Sequence, residues 1–281
     1  MKKQFIITLC ALIAVVILFF FGRTVAIKSK LDTTNQLTTK VFNINQFITE
    51  SKQKFTASQA VNLGTLENNI TRGDVLHQQI IAYSQLANFW KDSIRSFESY
   101  AFYNAAAAKL DKSEKSLTFA AQLFLDNLRG ETDEAKLNWK AEQAIALFEK
   151  ALEINPDNEN LKIGLASCYI FGKGRIGGPA ETMKGVSQLL EVVRKDSSNM
   201  KAQLVLGIGG YVSGQYDKAI ERLLKVVKAE PDNLEAIAFL ADTYSARGDK
   251  KDAIKWYLIS KRMANDPHYS QEVDERIKQL R

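Results

Sequence analysis

The chain has 281 residues, 46% hydrophobic and 25% charged, with 4 prolines, which is enough for one or two domains with a buried core. Its formal charge of +6 is concentrated at one end: residues 1–30 hold five basic groups and no acid, leaving 33 basic against 32 acidic groups beyond them. That balance excludes a broad basic surface for nucleic-acid phosphates. The two cysteines, Cys10 in an apolar run and Cys168 in a helical pattern, exclude a disulfide scaffold without fixing the redox compartment.

Phe5 to Gly22 is a run of 18 residues without a charge. As a helix it covers about 27 Å, close to the thickness of a hydrocarbon core. It reads as a single membrane-spanning helix inside an anchor of residues 1–30. The competing reading is a cleaved signal peptide, whose apolar region is usually shorter; Thr24-Val25-Ala26 would be a poor cleavage site. Lys2 and Lys3 before the run face Arg23, Lys28 and Lys30 after it, so the positive-inside count is nearly even. The two-lysine start resembles a bacterial signal anchor in the cytoplasmic (inner) membrane, which places the C-terminal part on the extracytoplasmic, periplasmic side.

Residues 31–41 form a polar, Thr-rich spacer, and the region 31–74 adds a membrane-proximal helical segment. Apolar residues at helical spacing between Ile44 and Ile70 predict one or two helices. Two more helix-length patterns follow, Val75 to Asp92 and Arg95 to Leu110, and 75–124 reads as degenerate helical repeats. With no strand-like alternation of useful length, the fold class is all-α.

From Ala141 the chain repeats itself. "AIALFEKALEINPDN" (144–158), "GVSQLLEVVRKDSSN" (185–199) and "AIERLLKVVKAEPDN" (219–233) align, and a fourth copy starts at Ala253. Gly185, Ala219 and Ala253 are 34 residues apart, whereas Ala144 precedes Gly185 by 41, so one unit is enlarged by seven residues. Each unit also has a first helix, as in "AQLVLGIGGYVSGQYDKAI" (202–220) and "AIAFLADTYSARGDKKDAI" (236–254). Gly207 or Ala241 in the first helix, and Ala219 or Ala253 in the second, allow close helix approach. Gly214 and Gly248 suit left-handed caps, and Pro156 and Pro231 stop helices just ended.

These residues resemble the tetratricopeptide repeat (TPR), with landmarks at Leu206-Gly207, Gly214, Tyr216, Ala219 and Pro231, and again at Leu240-Ala241, Tyr244, Gly248 and Ala253. Departures fall at Ser197, where a proline is expected, at Ser260, and at Pro267, which comes two residues late. The resemblance implies a helical-hairpin solenoid over 125–267, with units of about 117–158, 159–199, 200–233 and 234–267 and a capping helix at 268–281. The type it resembles is the single-span TPR protein of the bacterial envelope. The role it implies is a non-enzymatic scaffold or assembly factor binding other proteins; the alternatives are an accessory subunit of an envelope enzyme complex (cytochrome maturation or cell-wall synthesis) and a chaperone-like factor for exported proteins.

The segment "FGKGRIGGP" (171–179) contains G-x-G-x-x-G at Gly172, Gly174 and Gly177. Dinucleotide binding requires a strand before the glycines, and here Ile163, Leu165, Ala166, Tyr169 and Ile170 follow helical spacing instead. No G-K-[ST] follows either. The expectation is an enlarged inter-helix turn at 172–182 that binds no nucleotide, with Lys173 and Arg175 as candidate contacts to an acidic group or as parts of a plain solvated loop. His77 and His268 stand in different elements without metal-ligand spacing, so neither a metal, a cofactor nor a catalytic residue is expected. Asp133 and Glu134 suit a helix start. The aromatics Phe89, Trp90, Phe97, Tyr100, Phe102 and Tyr103 suit packing between helices.

In such a stack, positions two, five, nine and twelve of each first helix share the concave face. They are Asn160, Ile163, Ser167 and Ile170; Lys201, Leu204, Ile208 and Tyr211; and Glu235, Ala238, Asp242 and Ser245. The set lacks the Lys and Asn pattern that clamps a carboxylate. Ile163, Leu204, Ile208 and Tyr211 are expected to form an apolar strip, filled either by a hydrophobic or helical peptide of a partner or by the C-terminal helix of the chain itself.

Overall fold

The computed structural model describes residues 41–72 and 75–281. The expected membrane helix and nearly all of the spacer lie outside them; among the described residues no helix is long and apolar enough to cross a membrane. These residues are helical, without a strand. The N-terminal helices are α1 (Ile44–Lys52), α2 (Ala57–Arg72), α3 (Leu76–Phe89), α4 (Phe97–Asp111), α5 (Glu114–Asp126) and α6 (Glu134–Ile154). Then follow α7 (Glu159–Cys168), the short α8 (Gly174–Gly177), α9 (Pro179–Lys195), α10 (Met200–Val212), α11 (Tyr216–Ala229), α12 (Leu234–Arg247), α13 (Lys250–Ala264) and α14 (Pro267–Leu280). Consecutive helices pack as hairpins: α3 with α4, α5 with α6, α7 with α9, α10 with α11, and α12 with α13, with α14 against the last.

The recurrent asparagine of each aligned segment has a local cause. Asn158, Asn199 and Asn233 are the N-caps of α7, α10 and α12, each accepting from backbone N–H groups of the first turn that have no partner within the helix. Two of them also tie neighbouring units together. Asn158 Nδ2 donates to Glu114 Oε1 (2.6 Å), and Asn199 Nδ2 donates to Glu159 Oε2 (3.0 Å), each partner being the first residue of the preceding unit's first helix. Asp133, expected at a helix start, caps α6 by accepting from Lys136 N at 3.0 Å. Gly248 takes the left-handed cap after α12, with φ of 96°.

Small residues set the helix spacing within each hairpin. A Cβ at Gly185 would stand 2.4 Å from the carbonyl oxygen of Ala166, and one at Gly207 would stand 2.8 Å from Leu223 Cγ. Around these contacts runs one apolar core from α4 to α12, with Phe124, Leu147, Leu189 and Leu223 fully buried. A second cluster, rich in aromatics, closes the N-terminal end. There Trp90 stacks on Tyr103 with ring centroids 6.4 Å apart, and Phe55 lies 5.3 Å from Trp90. At the other end, α14 inserts Val273 and Ile277 against Ala241, Ala253 and Tyr257. Fully burying one such side chain contributes roughly 1.5–3 kcal/mol.

The enlarged unit is not an open loop. α7 widens into a π-turn over Tyr169–Lys173, continues as α8, and reverses at Gly178 (φ 74°), after which Pro179 opens α9. The extra residues extend the first helix rather than leaving the surface.

The concave face as candidate functional site

The first helices α5, α7, α10 and α12 line one side of the stack, and the buried core sets which of their residues remain available. Ile163, Ile170 and Ile208 are 1%, 0% and 1% exposed, so the expected apolar strip does not exist as an open surface. All three belong to the main apolar core, an effect of the stacking that spacing within one helix does not reveal. Ser167 is also buried, its hydroxyl donating to Ile163 O at 2.7 Å. Asn160 and Lys201 are exposed, Ala238 is half-buried, and Tyr211 is half-buried against Phe239, with ring centroids 5.8 Å apart.

The concave face instead holds a cavity of about 280 Å³. Its floor is apolar, with Leu125, Ile163, Phe171, Leu204 and Val205, and its rim is polar, with Gln122, Asp126, Arg129, Lys201 and Glu235. Ile163, Ser167, Lys201, Leu204 and Glu235 belong to the expected set; the α5 residues and Arg129 do not. Phe119, one turn before Gln122 on the same face of α5, is 54% exposed and extends the apolar surface beyond the cavity. A signal for these residues existed in the start of the first unit, expected over about 117–158, whose register follows once Ser113 is recognised as an N-cap equivalent to Asn158.

Arg129 sits in the turn between α5 and α6 and reaches across the cavity. Its guanidinium lies 4.1 Å from the Phe171 ring centroid and 5.9 Å from that of Phe239, and it pairs with the Glu235 carboxylate. Burial against the rings depresses the Arg129 pKa, and nearby Asp126 opposes that shift. The turn is itself held. Arg175 donates to the carbonyls of Leu128 (2.8 Å) and Glu131 (2.9 Å), while Glu131 Oε2 accepts from the buried Lys140 (2.6 Å). Lys173 binds Asn138 Oδ1 and Glu142 Oε1, both at 2.7 Å. Lys173 and Arg175, expected either to contact an acidic group or to belong to a plain solvated loop, instead bind α6 and the turn before it, because the extended first helix brings them within reach.

At the far end, Asp242 accepts from Tyr257 Oη and Arg276 Nη1, each at 2.5 Å, so α14 supplies the partner of an expected groove residue. Burial and the bond to Asp242 push the Tyr257 phenol up to about 12. A smaller recess of about 230 Å³ remains there, between Tyr211, Ser245 and Leu280. The C-terminal helix thus occupies only this end and leaves the cavity at Arg129 open. Among the described residues, no three His, Cys, Asp or Glu side chains are placed to hold a metal ion.

Stacked helical hairpins of 34-residue period, capped by a terminal helix and carrying a concave cavity, define a helical-repeat protein. Residues 140–173 and 213–271 match the family described as "Tetratricopeptide repeat", and over them the chain carries such repeats. The chain is 33% identical over 84 residues to the cellulose synthase operon protein C of Escherichia coli (strain K12), covering 30% of this chain and 7% of that protein. It is 29% identical over 152 residues to the CTR9 homolog of Arabidopsis thaliana, covering 53% of this chain and 12% of that protein. The chain therefore spans about a tenth of these relatives' length. Among solved structures, a thermophilic TPR protein of Thermus thermophilus superposes with a TM-score of 0.53 at 16% identity, covering 72% of this chain and 98% of that one. A tetratricopeptide repeat protein from Parabacteroides merdae ATCC 43184 covers 84% of this chain and 91% of that one, at 13% identity and a TM-score of 0.48.

Proposed function

We propose that this chain is a non-enzymatic scaffold or assembly factor that holds a segment of another protein on its concave face, beside the membrane in which residues 5–22 anchor it. The observation that carries the reading is the cavity of about 280 Å³ between α5, α7 and α10, apolar at its floor and charged at its rim, with Phe119 exposed next to it. Such a site suits one apolar side chain inserted from an otherwise polar peptide segment, the rim groups fixing the peptide's register. Exposed aromatic residues beside a concave recess are the usual anchors of protein interfaces. The array then works on the extracytoplasmic side.

The test is in-cell photocrosslinking from position 119, with the exposed position 268 as control. A short, reproducible set of envelope proteins captured from 119 and absent from 268 supports the reading. If only cytoplasmic proteins are captured, the orientation falls; if none is captured from 119, the groove does.

A further inference from the structure

The repeat register relates residues on the outer face of the second helices as well. Counting from the small residue of each unit (Ala144, Gly185, Ala219, Ala253), positions −2, +2, +5 and +9 fall on one helical face. On α6 this stripe is acidic, with Glu142, Glu149 and Glu153 all exposed. On α13 it is basic, with Lys251, Lys255 and Arg262 exposed around Leu258. Between them, α9 and α11 present Met183, Leu190 and Leu224 among the exposed polar residues Ser187, Arg194, Asp217, Glu221 and Lys228 of the same stripe. Met183 is 48% and Leu224 37% exposed, so the middle of the face carries apolar side chains outside the core, as Leu258 (46%) does within the basic stripe.

Most of the terminal charges are not used internally. Glu142 is held by Lys173, but Glu149, Glu153, Lys251, Lys255 and Arg262 make no ion pair among the described residues. Lys150 and Asp252, a quarter-turn aside, each temper their end by one charge and leave its sign unchanged.

We propose that this outer face docks a second copy of the chain, related to the first by a two-fold axis passing between α9 and α11. A half-turn about that axis lays the acidic α6 stripe of one copy on the basic α13 stripe of the other, twice over, and brings α9 of one copy, with Met183 and Leu190, onto α11 of the other, with Leu224. The face is self-complementary, and the contact closes at two copies instead of propagating. Met183, Leu190 and Leu224 supply apolar contact at the middle, while the charges of the two ends set the antiparallel orientation and reject the parallel one, in which like ends would meet. The concave cavity, on the other side of each hairpin, stays open in the pair.

The test uses the full chain co-expressed with two different tags. Wild-type copies co-purify. Glu149→Lys with Glu153→Lys makes both ends basic, Lys255→Glu with Arg262→Glu makes both ends acidic, and either double variant paired with itself loses at least about tenfold of the co-purification. One copy of each, expressed together, regains it, because both end contacts are again of opposite sign. Leu224→Asp, at a position a lone chain tolerates, also separates the copies. Failure of wild-type copies to co-purify, self-pairing of either double variant at wild-type yield, or absence of recovery in the mixed pair overturns the proposal.

Discussion

Arg129 and Glu235, 106 positions apart, form an ion pair across the mouth of the concave cavity. Their side chains are 40% and 41% exposed, so solvent screens the pair and its net contribution stays at about 0–1 kcal/mol. Stacking of the guanidinium on Phe171 adds about 0.5–1 kcal/mol. Arg129→Ala is therefore expected to lower stability by no more than about 2 kcal/mol while weakening partner capture from position 119 several-fold. Urea unfolding measures the first quantity and crosslinking yield the second. A stability loss above about 3 kcal/mol would mean that Arg129 holds the array together and does not merely border a site.

Arg175 has a different role. Its planar guanidinium satisfies two carbonyls of the α5–α6 turn at once, those of Leu128 and Glu131. Removing it as Arg175→Ala leaves both without this partner and is expected to cost about 1–3 kcal/mol. Arg175→Lys should recover little, because a single ammonium on a flexible stem does not present the same fork. Urea midpoints of the three proteins decide this; a lysine variant as stable as wild type would show that charge alone suffices.

What was legible in the sequence was local. Gly214 and Gly248 announce the turns, Pro156 and Pro231 follow helix ends, and the 34-residue spacing of Gly185, Ala219 and Ala253 sets the hairpins. Each of these depends on a few neighbouring residues. The availability of Ile163 and Ile208 does not, since it depends on how far adjacent first helices turn against each other, and both are buried. Arg129 was hidden for a related reason. It stands in the turn after α5, and its partners Phe171, Phe239 and Glu235 come from later units. The glycines of 172–178 read as freedom, whereas the fold uses the extra length to bring Lys173 and Arg175 to their partners.

Lys140 is the most deeply buried charge near that turn. At 2% exposure it bonds Glu131 Oε2 (2.6 Å) and Asn127 Oδ1 (3.0 Å) and lies 3.5 Å from Glu98. Lys140→Met takes the ammonium partner from the mostly buried Glu131, while Glu98 keeps Lys136 at 3.3 Å, and should cost about 3–5 kcal/mol at neutral pH. Burial alone would raise the Glu131 carboxyl, but bonds from Lys140 and from the N–H groups of Asp133 and Thr132 hold it below the ordinary 4.5. With the folded-state pKa depressed, the stabilisation is complete above that ordinary value and is lost as pH falls through the lower folded one. The stability gap between wild type and Glu131→Gln is thus expected to be constant from pH 6 to 8, as ranges of about this width lie well above both values, and to shrink as the solution is acidified below 4.5. Urea titrations across that range test it, and a gap that widens on acidification would contradict the sign.

Two glycines separate packing from helix propensity. Gly64, inside α2, has open space where a Cβ would stand, so Gly64→Ala should stabilise by about 0.5–1 kcal/mol through the unfolded chain's lost freedom. At Gly185 the same methyl would meet the Ala166 carbonyl oxygen at 2.4 Å and Ile170 Cγ1 at 2.9 Å. Backbone cannot yield as a side-chain tip does, so α7 and α9 must move apart, and the propensity gain is outweighed by overpacking of about 1–3 kcal/mol or more. Gly185→Ala is therefore expected to destabilise while Gly64→Ala stabilises, read from urea midpoints at unchanged slope. Equal gains at both sites would show that the two helices of the enlarged unit are not in the close contact described above. The seven added residues would then be loosening that unit, not clasping it to α6.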